Sequence, residues 1–99
     1  MKDLQQLESF CNTVTQDMRI HATHISLYLA LYLCYKENVY KSPFPITRCE
    51  VMKSAKISAR STYIKCLKEL HEYGYIGYLP SQHPLKPTMA HIPTLHSPF

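Results

Sequence analysis

Apolar residues at Leu4, Leu7, Phe10, Cys11, Val14 and Met18 are spaced by 3, 3, 1, 3 and 4 residues. That spacing draws one stripe along a helix from Asp3 to about Met18, with Asp3 placed to cap it. Arg19 to His24 reads as a break, and Thr23 or Ser26 is available to start the next helix. The second helix, from about His24 to Tyr40, is apolar almost all round, with Ile25, Leu27, Tyr28, Leu29, Leu31, Tyr32 and Leu33 in close succession. A helix apolar on several faces needs more cover than an amphipathic one. Either its own domain surrounds it, or residues 1–40 form a dimer interface; the small size of the chain favours the dimer. Pro43 and Pro45 end this helix, and Ile46 reads as a lone strand residue or packing anchor.

Thr47-Arg48-Cys49-Glu50 has the form of a capping box opening a short helix to about Ser54, with Val51 and Met52 as its apolar contacts. Ala55-Lys56-Ile57 is a turn. Ser58 is then expected to cap a longer helix from Ala59 to Tyr73, with Tyr63, Cys66, Leu67, Leu70 and Tyr73 as its buried stripe. Gly74 is placed to end it in a left-handed conformation. The period then changes to two: Tyr75 to Leu79 reads as a strand, and Thr88 to Ile92 as a second strand returning beside it. His71 and Tyr75 are expected to cover the base of this hairpin. Residues 93–99 are expected to fray.

With 99 residues, 45% of them hydrophobic, the chain fits a single domain over 1–99 with a modest core. Two Gly against seven Pro exclude a glycine-rich phosphate loop. No apolar run is long enough for a membrane span, and no signal-peptide pattern is present, so a cytoplasmic protein is expected. Charge divides the chain more sharply. Residues 1–40 hold three basic against four acidic residues, whereas 41–68 hold seven against one. Such a basic segment suits a polyanion such as nucleic acid. Cys11, Cys34, Cys49 and Cys66 are too widely spaced for a zinc motif, and Cys11, Cys34 and Cys66 fall at positions suited to core packing. His21 and His24 form an H-x-x-H without neighbouring ligands, so no metal and no cofactor is expected. No catalytic triad, P-loop or metalloprotease pattern is present, so the chain is not expected to be an enzyme.

A short capped helix, a turn, a longer basic helix, a glycine and a hairpin follow one another in the order of a winged helix-turn-helix. The stretch from Ile57 to Ile76 resembles the recognition-helix region of winged-helix DNA-binding proteins. Ser61-Thr62 opens the helix, Leu67 and Leu70 pack inward, and Gly74-Tyr75-Ile76 leads into the wing. The segment Tyr78 to Lys86 resembles the wing of small regulator-like proteins of Bacteroides-type mobile elements. Where those proteins have Lys-Gly-Ser, this chain has Lys86-Pro87-Thr88 and lacks the glycine turn. The resemblance covers about residues 46–88. It implies a mainly α fold with a small β-hairpin: two N-terminal helices over 1–40, then a helix-turn-helix and wing over 46–92.

Arg60, Ser61, Thr62 and Lys65 are expected to meet the groove of double-stranded DNA, and Lys68 a phosphate. Ser58 sits at the positive end of the helix, and Thr47 and Arg48 open the bracing helix. Lys86, with Gln82 and His83, belongs to the wing. The expected function is sequence-specific duplex-DNA binding by a homodimer that regulates transcription. The alternatives are an accessory factor in replication or excision of a mobile element and a winged helix used for protein interaction.

Overall fold

The computed structural model describes residues 2–81 and 85–93. It is mainly helical, with four helices and a small three-stranded antiparallel sheet among the described residues. The first helix, α1 (Lys2–Val14), starts before Asp3, which therefore lies inside the first turn and is not its cap. It also ends four residues earlier than its stripe predicts. The Asp17 carboxylate accepts the Arg19 backbone N–H at 3.0 Å and the Arg19 guanidinium at 2.9 and 2.8 Å. These bonds fix a turn in place of further helix and leave Met18 94% exposed.

The second helix, α2 (Ala22–Glu37), is capped at His21 and not at Thr23 or Ser26. Asn38 closes it. Its backbone N–H and its side-chain amide both donate to the Cys34 carbonyl, at 3.0 and 2.8 Å. Val39 and Tyr40 then turn left-handed, each with φ 57°, so the helix stops short of Tyr40. Leu27, Tyr28 and Leu31 have no exposed surface, which makes α2 the central helix of the core. Phe10 of α1 lies flat on Tyr28, with ring centroids 3.7 Å apart. Burying Phe10 contributes about 2–3 kcal/mol. The Tyr28 hydroxyl accepts a hydrogen bond from Gln6, whose amide also reaches the Pro93 carbonyl. Burial pushes the Tyr28 phenol up to about 12. Pro93 is thus tied to α1 and does not fray; residues 94–99 lie outside the described residues.

Ile46 is not a lone strand residue. Strand β1 (Phe44–Ile46) leads into α3 (Arg48–Ala55), α4 (Arg60–Glu72), β2 (Gly77–Leu79) and β3 (Thr88–His91). The sheet order is β1-β3-β2, so β3 pairs with both neighbours: Phe44 faces Ala90, and Tyr78 faces the same Ala90. Pro45 is tolerated because β1 is an edge strand that needs no donor on its outer side.

Both α3 and α4 end in the same hydrogen-bond pattern. After α4, the N–H of Tyr75 reaches the Leu70 carbonyl and that of Gly74 the His71 carbonyl, with Gly74 at φ 86°. After α3, the N–H of Ile57 reaches the Met52 carbonyl while Lys56 takes the left-handed position at φ 62°. Of the three cysteines assigned to the core, Cys66 is buried and Cys34 half-buried. Cys11 is exposed, because the packed side of α1 is set by Phe10.

Candidate nucleic-acid interface

The α4 stripe of Tyr63, Cys66, Leu67 and Leu70 is buried, as its spacing predicts. At about 100° per residue, Ser61, Lys65 and Lys68 fall on the opposite flank. All three are exposed, as are Ser58 and Arg60. The structure therefore brings five of the expected site residues to the outer side of one helix and its entry. Thr62 differs: it is half-buried and lines a small cleft of about 200 Å³ with Thr23, Lys56, Ile57, Ser58 and Ala59. Thr47 and Arg48, both exposed, sit at the start of α3, and exposed Lys86 sits in the connection between β2 and β3. Ser81 Oγ donates to the Lys86 carbonyl across that connection. Gln82 and His83 lie outside the described residues.

Neither expected cap forms. Thr47 holds the N-cap position of α3 without a side-chain hydrogen bond, and Glu50 is exposed, so the capping box is not made. The N-cap of α4 is Ala59, one residue after Ser58. The entry of α4 is consequently uncapped by side chains, and its first N–H groups have no side-chain acceptor from Ser58. Tyr75 does not cover the hairpin. It is buried with its ring edge-on to Phe10 at 5.7 Å, and its hydroxyl donates to Asp17 at 2.8 Å. Burial pushes the Tyr75 phenol well up. The Arg19 guanidinium, followed by the Tyr75 hydroxyl, holds the Asp17 carboxyl well below the usual carboxylate range.

Sequence spacing gave no sign of the contact that fixes α4 against α2. His24, 2% exposed, reaches across to Glu69, with Nε2 and Oε1 3.0 Å apart. Its other nitrogen, Nδ1, accepts the backbone N–H of His21 at 2.9 Å and so supplies the cap of α2. The Tyr73 hydroxyl donates to the second Glu69 oxygen at 3.4 Å, and Arg19 stands over the Tyr73 ring at 4.1 Å. The hydrogen bond from His24 holds the Glu69 carboxyl below its ordinary value. Cys66 Sγ joins this group, with the His24, Cys66 and Glu69 ligand atoms all within 4.8 Å of one another. The set has the composition of a metal site, but its hydrogen bonds give it another role. Nδ1 accepts, so the proton resides on Nε2. A metal at Nε2 would force that proton onto Nδ1, where the His21 N–H already points, and metal-bound histidines donate from their second nitrogen.

No family model, curated protein or solved structure matches the chain. The exposed flank of α4 is therefore the feature that bears on function. Lys56 is the residue that sequence reading missed there. Its place in a turn hid the fact that its left-handed conformation sets it beside Ser58 and Thr62 at the mouth of the cleft.

Proposed function

We propose that the chain binds duplex DNA through α4 and regulates transcription as a homodimer. The observation that carries this reading is the division of α4 into a buried apolar stripe and an exposed flank bearing Ser61, Lys65 and Lys68, with Arg60 exposed at the entry of the helix. A helix of this kind fits the major groove, with Lys65 and Lys68 meeting phosphates and Arg60 within reach of base edges or backbone. The succession of β1, α3, α4, β2 and β3, with sheet order β1-β3-β2, supports a winged helix-turn-helix. In that arrangement α3 braces α4, Thr47 and Arg48 face the flanking backbone, and Lys86 belongs to the wing. Leu29 and Leu33, 45% and 53% exposed one turn apart on α2, support the N-terminal helices as the dimer contact. A dimer would set its two α4 helices about 34 Å apart, one turn of DNA.

A second reading, a winged helix that binds protein, is favoured by Leu79 and Leu85, which are 59% and 87% exposed on the hairpin. The deciding experiment is fluorescence anisotropy of a labelled random duplex over a salt series. DNA binding through phosphates predicts that log affinity falls linearly with log salt. Affinity that is absent or indifferent to salt would overturn the proposal and leave the protein-binding reading.

A further inference from the structure

The first turn of α2 meets two parts of α4 at once. His24 bonds to Glu69 near the C-terminal half of α4, and Thr23, the preceding residue, lines the cleft with Ser58, Ala59 and Thr62 at the other end. The state of the His24 ring therefore bears on the end of α4 that carries the expected DNA contacts. Both ring nitrogens are in use: Nδ1 accepts from His21 and Nε2–H donates to Glu69. Only a neutral ring satisfies both bonds. A second proton would occupy Nδ1 and face the His21 N–H, setting two donors against each other at 2.9 Å. The half of the α2 capping box made by the His24 ring would then be lost.

Charged and titratable groups face the ring from several elements. On its own element, the His21 ring lies 5.7 Å away. From α4 come the Glu69 carboxylate, the Cys66 thiol and the Tyr73 ring, the last 6.1 Å distant. Arg19, paired with Asp17, stands over the Tyr73 ring at 4.1 Å. Glu69 is the charged group in direct contact with the ring.

We propose that His24 is an acid-sensitive latch: the neutral ring holds the first turn of α2 against the entry of α4, and protonation releases that entry and weakens DNA binding. The latch rests on the DNA-binding reading of α4. Two measurements separate the fates of the two ideas. The first is anisotropy with a labelled random duplex at constant ionic strength, from about pH 8 to about pH 5, on the natural chain, His24→Gln and Glu69→Gln. The other five histidines are common to all three proteins, so their gain of charge acts alike. Loss of one capping bond predicts that acid weakens the natural chain about two- to tenfold relative to His24→Gln. Glu69→Gln replaces the carboxylate that His24 contacts, so its pH profile is expected to depart from that of the natural chain.

The second measurement follows backbone amide resonances without DNA. Those of Ser58 to Thr62 are expected to move together in acid in the natural chain and to stay still in His24→Gln. Parallel pH profiles for the natural chain and His24→Gln refute the latch. If His24→Gln does not fold, a Glu69→Gln profile that superimposes on the natural one refutes it. If the natural chain binds no duplex at about pH 8, the DNA-binding reading fails by itself. The amides then decide the latch: coupled movement keeps it, and stationary Ser58 to Thr62 amides overturn it.

Discussion

Replacing Lys65 and Lys68 together by Ala separates phosphate binding from every other use of α4. Both side chains are exposed on the flank opposite the buried stripe, so their removal leaves Tyr63, Leu67 and Leu70 packed. Alanine is at least as good a helix former as lysine, and stability should hold or rise slightly. Removing one lysine–phosphate pair lowers the slope of log affinity against log salt by about 0.9, so removing two lowers it by about 1.8. The counterion contribution vanishes near about 1 M salt, where the two lines should converge. At about 0.15 M the variant then falls short by about 1.5 decades, roughly 30-fold, or about 2 kcal/mol. The assay is anisotropy of a labelled random duplex over the salt series, with circular dichroism to confirm unchanged helix. Parallel lines, or variant and natural chain superimposed, would remove both lysines from the interface.

Three further outcomes test the fold and its assembly. Gly74→Ala places a Cβ in open space but at φ 86°, so the cost is backbone strain of about 1 kcal/mol; Gly74→Asn should recover part of it, read by urea denaturation. Asp17→Asn removes the carboxylate held by Arg19 and Tyr75 and should cost about 1–2 kcal/mol near neutral pH. Because the folded carboxyl titrates below its ordinary value, this stability is complete above the usual carboxylate range. It is lost as pH falls below that range, so the gap between natural chain and variant should close in acid. Leu29→Glu with Leu33→Glu should leave helix content unchanged and convert any dimer to monomer in sedimentation at micromolar concentration; a monomeric natural chain removes α2 as the contact.

The parts of the fold that can be read from sequence are those that local signals determine. The α4 stripe, the glycine after it and the change to period two together locate the helix and the hairpin, because each is set within a few residues. Exposure of Lys65 and Lys68 follows from the same stripe, since a helix that buries one side must present the other. Arg60, seven residues before Leu67 and in line with it, is exposed because it opens α4. Helix ends depart from the local signals wherever a tertiary partner decides them. The cap of α2 is supplied by a histidine held by Glu69, 45 residues away, which outweighs the local candidates Thr23 and Ser26. Thr47 and Ser58 have the chemistry of caps but make no such bond, since a hydroxyl near the surface finds water as readily as a backbone N–H. Strand β1 reads from sequence as a single residue because Pro45 argues against a strand. Only pairing with β3, a segment more than forty residues on, makes those three residues extended.

The apolar second helix shows how far composition alone can carry an argument about assembly. Its all-round apolar character calls for more cover than one face, and the structure supplies most of it. α1, α3, α4 and β1 enclose Leu27, Tyr28, Ala30, Leu31 and Tyr32, leaving Leu29 and Leu33 as the exposed leucines of α2. Covering the exposed half of each would contribute about 1 kcal/mol per side chain. Association costs at least about 4 kcal/mol in lost freedom before side-chain ordering is counted. Two leucines from each protomer roughly match that cost and no more. A stable homodimer therefore has to recruit further apolar surface, and Leu4 of α1 and Val39 beyond α2, 52% and 73% exposed, are among the exposed apolar residues of the N-terminal part.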